Sequence, residues 1–168
     1  MSSLSEGEAA VVELMAKFVD ERVRPVAHQL EQSNTYPEAL IEAMKQMGVF
    51  GLAVPEPYGE FGVSTACFAL VTEELARGWM SLAGAFGGHS VVCTLLLRFG
   101  TEAQRASYLP RMATGEVRGA MALTEPDGGS DLQAMRTVAR RVRDGYRING
   151  TKTWITNARR AQLIALLC

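Results

Sequence analysis

The chain has 168 residues, of which 48% are hydrophobic and 21% are charged, and its formal net charge is -1. This length allows one domain, or one domain and part of another, and the composition excludes a disordered chain. The near-neutral charge provides no basic surface, which argues against nucleic acid as a partner.

The first helices are marked by capping residues and prolines. Ser5 with Glu8 forms a capping-box pattern, and apolar residues follow at helical spacing. Pro25 falls inside this pattern and predicts a kink or a break. Pro37 suits the first turn of a second helix, and Gly48 is expected to end that helix.

Two further helices follow the loop of residues 51–64, which contains two prolines and three glycines. One is predicted from about Thr65 to Arg77 with its end at Gly78, and the next covers Ser81 to Phe99. The second of these is nearly uncharged, but glycines and polar residues interrupt it. It therefore fits the interior of a helical bundle better than a membrane span.

The pattern changes from helices to strands near residue 118. Thr101 with Gln104 opens a short helix that is expected to stop before Pro110. The tight-turn dipeptides Asp144-Gly145 and Asn149-Gly150 then separate segments in which apolar and polar residues alternate. This pattern is typical of antiparallel strands. The sequence predicts an α+β chain: an all-α helical bundle domain (residues 1–118), then an incomplete antiparallel β-barrel-like domain (residues 119–168). The apolar segment at the end makes the chain look truncated within this second domain.

The segment "ALTEPDGGSD", from Ala122 to Asp131, is the first candidate binding site. Backbone N–H groups in a Gly-rich turn can converge on an anion, and glycines let a ligand approach the main chain. A second candidate is "WIT", from Trp154 to Thr156, which we place on a strand with the indole and a hydroxyl on one face. Together they would serve an isoalloxazine ring, with aromatic packing on one side and polar contacts at its edge.

Five motifs resemble the acyl-CoA dehydrogenase family: "ALTEPDGGSDLQA", "VPEPYGEFG", "TEELARG", "FGTEAQRASYLPRMATGE" and "YRINGTKTWITNA". The likeness covers nearly the whole chain and is weakest over the first thirty residues. It implies a helical N-terminal domain and a central β-barrel-like domain, of which the sequence matches the first and about half of the second. The C-terminal four-helix domain of the family is absent from these residues.

The resemblance implies FAD as the cofactor. Leu123 and Thr124 would face the flavin ring, while Gly129 and Ser130 would serve the pyrophosphate. Ser130 would also lie near the acyl-CoA substrate. The full set of implied cofactor contacts is Met121, Ala122, Leu123, Thr124, Gly129, Ser130, Trp154, Ile155 and Thr156.

Two of these contacts have distinct implied roles on the flavin. Trp154 would pack on the face away from substrate, and Thr156 would donate a hydrogen bond near the reactive nitrogen. Many relatives have an aromatic residue where Met121 stands, which leaves the shape of the substrate pocket open.

No catalytic residue is assigned within the chain. In the family, the Glu that takes the α-proton comes from the C-terminal part, and Glu125 is interpreted as structural. His89 is interpreted as a satisfied core histidine, and the doublet Arg159-Arg160 as exposed charge. Cys67, Cys93 and Cys168 lack paired or metal-like spacing, so reduced thiols and no metal are expected.

The resemblance implies the N-terminal portion of an enzyme that oxidises an acyl-CoA, or acyl-carrier-protein, thioester to the 2-enoyl product. Expected partners are an electron-transfer flavoprotein and further copies in a dimer or tetramer, in the cytoplasm. The chain alone is expected to be inactive. Two alternatives stay open: a non-catalytic interaction fragment, and an oxygen-using relative of the acyl-CoA oxidase or nitroalkane oxidase type.

Overall fold

A computed structural model of the protein describes residues 4–168, with a helical region followed by a small β region. Within these residues six α-helices form the helical region: α1 (Glu6–Phe18), α2 (Arg24–Gln32), α3 (Glu38–Gln46), α4 (Thr65–Gly78), α5 (Met80–Phe99) and α6 (Glu102–Ala113). Four strands follow them: β1 (Gly119–Ala122), β2 (Val138–Val142), β3 (Gly145–Asn149) and β4 (Leu163–Leu166).

Both predicted capping boxes are present. At the start of α1 the Ser5 hydroxyl accepts from the N–H of Glu8 at 3.2 Å, and the Glu8 carboxylate accepts from the N–H of Ser5 at 3.0 Å. Thr101 and Gln104 cap α6 in the same way. The Glu8 carboxylate also accepts from the N–H of Ser64 at 2.7 Å, so it ties the start of α1 to the start of α4.

The helix interruption predicted at Pro25 takes the form of a wider turn. Residues Val19–Val23 adopt a π-helix between α1 and α2, and Pro25 lies in the first turn of α2. A proline has no N–H to donate to the preceding turn, and the first turn of a helix is where this absence costs least. The chain therefore changes helix type before Pro25 and remains helical.

The prediction that the last helix stops before Pro110 is wrong, because α6 continues to Ala113. Leu109 and Met112, on either side of the proline, are both fully buried. Burial of two large apolar side chains is worth several kcal/mol, at about 1.5–3 kcal/mol each, which offsets the lost hydrogen bond. Tertiary packing thus overrides the local signal.

Helix α5 lies at the centre of the bundle, as predicted, and packs against α4, α6 and β1. Within residues 4–168 it is the one helix long and apolar enough to cross a membrane by length and composition. Its side chains Leu82, Phe86 and Cys93 are fully buried inside the protein. This environment is that of a bundle core helix.

The β region consists of two separate two-stranded sheets within the described residues. Strands β2 and β3 form an antiparallel hairpin, with Val142 paired to Gly145 across the predicted turn. Strands β1 and β4 pair in parallel, from Gly119 with Leu163 to Ala122 with Leu166, where the sequence predicted antiparallel pairing. A parallel pair needs a long crossover, and the segment carrying the hairpin supplies it. The predicted α+β class, a helical bundle followed by an incomplete β domain, is confirmed, and the β region is small and not closed.

Candidate functional site

The site begins where β1 ends. Met121 and Ala122 are strand residues, paired with Ala165 and Leu166 of β4, and the carbonyl of Ala122 also accepts from the N–H of Leu167 at 3.0 Å. Ala122 is buried and Met121 is half-buried. Both residues are therefore part of the sheet that supports the loop after them.

Leu123 and Thr124 form the first part of that loop, and a second loop lies against them. The carbonyl of Thr124 accepts from the N–H of Thr153 at 2.9 Å, immediately before Trp154. The carbonyl of Leu123 accepts from the ammonium group of Lys152 at 2.8 Å. The structure thus brings together the two segments that the sequence analysis singled out.

The Gly-rich segment opens with a tight turn. The N–H of Glu125 donates to the carbonyl of Gly128 at 2.8 Å, and the N–H of Gly128 donates back at 3.2 Å. Among the hydrogen bonds of residues 4–168, none uses the exposed N–H groups of Gly129 and Ser130. A Cβ atom on Gly129 would lie 3.8 Å from the methyl group of Thr124. Within the described residues, Gly129 and Ser130 therefore each offer a free backbone donor, and Gly129 lies beside Thr124.

Glu125 is the most heavily hydrogen-bonded side chain of the site. Its carboxylate accepts from the N–H of Arg136 at 2.7 Å, the N–H of Thr137 at 2.9 Å, the Thr137 hydroxyl, and Lys152 at 2.9 Å. These bonds, led by that of the Thr137 hydroxyl, lower the pKa of Glu125 to about 2. Glu125 is therefore ionised and fully occupied, as expected of a structural residue.

The prediction that Trp154 to Thr156 lie on a strand is wrong. Strand β3 ends at Asn149, and Trp154 has a left-handed backbone with φ of 58°. Such a conformation cannot continue an extended strand, and the N–H of Thr153 is committed to Thr124 outside any ladder. The Asn149-Gly150 pair accordingly opens a loop and not a second hairpin. The Trp154 side chain is 89% exposed.

Ile155 and Thr156 face the helical region. The Thr156 methyl group would lie 4.0 Å from a Cβ atom on Gly84 of α5, and the amide of Asn157 donates to the carbonyl of Ala85 at 3.4 Å. An open groove of about 630 Å³ runs along this junction. Its lining includes Tyr36, Trp79, Ile155, Thr156 and Arg160.

Sequence reasoning missed a cation cluster at the edge of this groove. The buried Arg118 donates to the hydroxyl of Tyr36. The guanidinium of Arg160 lies over the Tyr36 ring at 4.6 Å and pairs with Glu38 at 3.3 Å. Arg160 is exposed, as interpreted from the sequence, but its charge has specific partners in Tyr36 and Glu38. Its partners are more than a hundred residues away in sequence, so no local pattern could reveal them.

Lys152 and Thr137 are the other missed residues. Lys152 alternates with threonines in a segment that reads as a strand, and Thr137 looks like an ordinary strand residue. Their importance depends on Glu125, which lies 27 residues from Lys152 and 12 from Thr137. The one available sequence signal was Glu125 itself, a carboxylate within the polar segment from Ala122 to Asp131, which would need hydrogen-bond donors from elsewhere in the chain if buried.

A helical bundle followed by a small open β region defines an α+β protein. Residues 5–116 match the family model for the acyl-CoA dehydrogenase N-terminal domain, and residues 120–168 match that for the middle domain. The chain belongs to the acyl-CoA dehydrogenase family.

Similar proteins support this assignment. (2S)-Methylsuccinyl-CoA dehydrogenase of Cereibacter sphaeroides is 41% identical over 99% of the chain, which spans 30% of that relative. An acyl-CoA dehydrogenase from Geobacillus kaustophilus superposes with a TM-score of 0.87 at 34% identity, covering 98% of this chain and 43% of that one. A glutaryl-CoA dehydrogenase from Mycobacterium smegmatis, solved with FADH2, gives a TM-score of 0.89 at 32% identity, covering 97% and 42%. The chain therefore spans less than half the length of these relatives.

Proposed function

We propose that this chain forms the flavin-contacting part of an FAD-dependent acyl-CoA dehydrogenase that oxidises an acyl-CoA thioester to the 2-enoyl-CoA. The hydrogen bond from Thr153 to Thr124 carries the proposal, because it sets the Thr124 loop beside the loop that bears Trp154. Membership of the family and the solved relative with FADH2 support the choice of cofactor.

The groups present fit a flavin dinucleotide. The free N–H groups of Gly129 and Ser130 suit an anionic pyrophosphate. Within the described residues the Thr124 hydroxyl makes no hydrogen bond, so it can donate to the polar edge of a heterocycle. The exposed indole of Trp154 can cover one face of a planar ring.

Bound FAD supplies the acceptor for the hydride that leaves the β-carbon of the substrate. Thr124 and Thr156 contribute hydroxyl donors, which stabilise negative charge at the edge of the ring. Glu125 is unsuited to take the α-proton, since its pKa is about 2 and its oxygens already accept four hydrogen bonds. The proposal therefore assigns that proton to a carboxylate outside these 168 residues, and expects no desaturation by these residues alone.

The proposal extends to substrate, acceptor and assembly. Ser130 is expected to lie near the acyl-CoA, and an electron-transfer flavoprotein is the expected acceptor. Apolar side chains exposed on the β2–β3 hairpin, including Val138, Val142 and Ile148, support further protein contacts there. We propose a dimer or a tetramer as the working assembly.

Equilibrium dialysis of the 168-residue chain against FAD tests the cofactor assignment. Saturable binding that weakens in Thr124→Val and in Trp154→Ala supports it. The matched control is Thr151→Val, which alters an exposed threonine of the same loop. Absence of saturable binding, or equal binding by all variants, contradicts it.

A further inference from the structure

Lys152 holds the two loops of the site together. Its ammonium group donates to the carbonyl of Leu123 at 2.8 Å and to the carboxylate of Glu125 at 2.9 Å. Both charged side chains are only 8% exposed. One buried cation is therefore bonded to the loop that carries Thr124, and Lys152 is itself two residues from Trp154.

The partner carboxylate extends this link to a third segment. Glu125 receives the N–H groups of Arg136 and Thr137, immediately before β2, and closes its own turn with Gly128. The Thr124 loop, the β2 entry and the Trp154 loop thus meet at one carboxylate.

A buried ion pair is a poor device for stability alone. Removing two charges from water costs several kcal/mol, and a well-packed apolar pair of similar volume often stabilises a protein as well or better. The ion pair instead constrains the relative position of the two loops, because moving either loop away would leave a buried charge without its partner. The arrangement therefore favours one relative position of the two loops.

We propose that Lys152 is a positioning residue, which fixes the Trp154 loop against the Thr124 loop. In this position the indole of Trp154 and the hydroxyl of Thr124 can contact the same bound ring. The positioning itself is a property of the chain without ligand. Its consequence for a flavin rests on the proposed function.

The test uses Lys152→Met, which keeps the length of the side chain and removes its charge. Lys17→Met is the matched control, since Lys17 is 68% exposed and, among residues 4–168, forms an ion pair only with the exposed Glu21. Both are made in a Trp79→Phe background, which leaves Trp154 as the sole tryptophan. The readouts are far-UV circular dichroism, urea unfolding, Trp154 fluorescence anisotropy in native buffer, and the dissociation constant for FAD.

The proposal predicts a folded Lys152→Met chain with lower Trp154 anisotropy and FAD binding weakened about tenfold or more. Lys17→Met should have the same Trp154 anisotropy and the same dissociation constant for FAD as the Trp79→Phe background. Unchanged anisotropy together with lowered stability overturns the proposal, because Lys152 would then be a structural residue only. If anisotropy falls but no chain binds FAD, the positioning role stands and the cofactor assignment fails.

A second variant covers the case in which Lys152→Met does not fold. Lys152→Met combined with Glu125→Gln removes both charges, so no unpaired charge is buried, and the Gln carbonyl can still accept from Thr137. This pair is expected to fold and to show the same loss of Trp154 anisotropy. A folded double variant with native anisotropy overturns the proposal.

Discussion

The N–H of Gly119 donates to Nδ1 of His89 across 3.1 Å, which joins β1 to α5. Because Nδ1 accepts this bond, the neutral ring carries its proton on Nε2, which lies 3.4 Å from the sulfur of Cys93. His89 is 1% exposed, as the interpretation of a satisfied core histidine requires. Since β1 leads directly into Thr124, this bond also supports the candidate site.

The unfolding free energy is expected to fall as the pH is lowered from about 6.5 to about 4. Burial lowers the pKa of His89 from 6.5 to about 4 in the folded chain. Between these values the unfolded chain binds a proton that the folded chain does not, so stability rises with pH. At about 1.4 kcal/mol per pKa unit, the loss on acidification is roughly 3 kcal/mol. Urea unfolding at several pH values measures it.

The His89→Gln variant provides the control for this pH dependence. It lacks the titrating ring and is expected to lose most of the slope between about pH 5 and 6.5. Glu125 and Glu8 contribute little above about pH 5, but below it the unfolded carboxyls, with a pKa of 4.5, take up protons that the folded ones, with a pKa of about 2, do not. The contribution of His89 is therefore read between about pH 5 and 6.5. A slope in His89→Gln equal to that of the native chain would show that another group is responsible.

Gly150→Ala is expected to destabilise the chain by about 1–3 kcal/mol. A Cβ atom at this position would overlap the Thr137 hydroxyl and lie 2.7 Å from the Thr137 Cα. Because Thr137 donates to Glu125, the strain reaches the candidate site. Thermal unfolding measures the effect.

Gly88→Ala is the matched control for this substitution. Gly88 lies within α5, and a Cβ atom there would meet nothing within 4 Å. Alanine has the higher helix propensity, so this variant is expected to gain about 0.5–1 kcal/mol. Similar losses in both variants would mean that the contact with Thr137 is not the cause.

Pro110→Ala is expected to stabilise the chain by about 1–3 kcal/mol. The proline lies inside α6, where it removes one hydrogen bond and crowds the preceding turn. Pro25→Ala is the comparison, because Pro25 lies in the first turn of α2 and should change stability by less than about 1 kcal/mol. Equal effects of the two substitutions in chemical denaturation would contradict this account of α6.

Local features of the fold were predictable and non-local ones were not. The capping residues Ser5 and Thr101 act within four residues, so the helix starts followed from sequence. The predicted end of α6 before Pro110 was wrong because the burial of Met112, beyond the proline, favours continuation of the helix. The parallel pairing of β4 with β1 depends on contacts more than forty residues apart in sequence, which no local pattern encodes.

The candidate site shows the same division. The Gly-rich turn and the Trp154 segment were identifiable from their residue types, and the structure places them side by side. The strand assignment of Trp154 failed because its left-handed backbone accompanies the hydrogen bond between Thr153 and Thr124. Lys152 escaped notice because its role exists only in contact with Glu125 and Leu123.

FAD binding by the 168-residue chain is expected to be saturable but weaker than about 1 µM, because these residues supply one side of the proposed pocket. Absorbance in the flavin band of the purified chain, before and after addition of FAD, measures occupancy. A chain that is purified with one tightly held flavin per molecule would contradict the expected weakness while supporting the cofactor assignment.

Quenching of Trp154 fluorescence by added FAD, in the Trp79→Phe background, tests most directly whether Thr124 and Trp154 share one flavin site. The account predicts saturable quenching, because the indole lies against the ring, with the midpoint shifted to higher FAD concentration by Thr124→Val. Flavin that binds at saturation without quenching Trp154, or quenching that Thr124→Val leaves unchanged, would contradict the account.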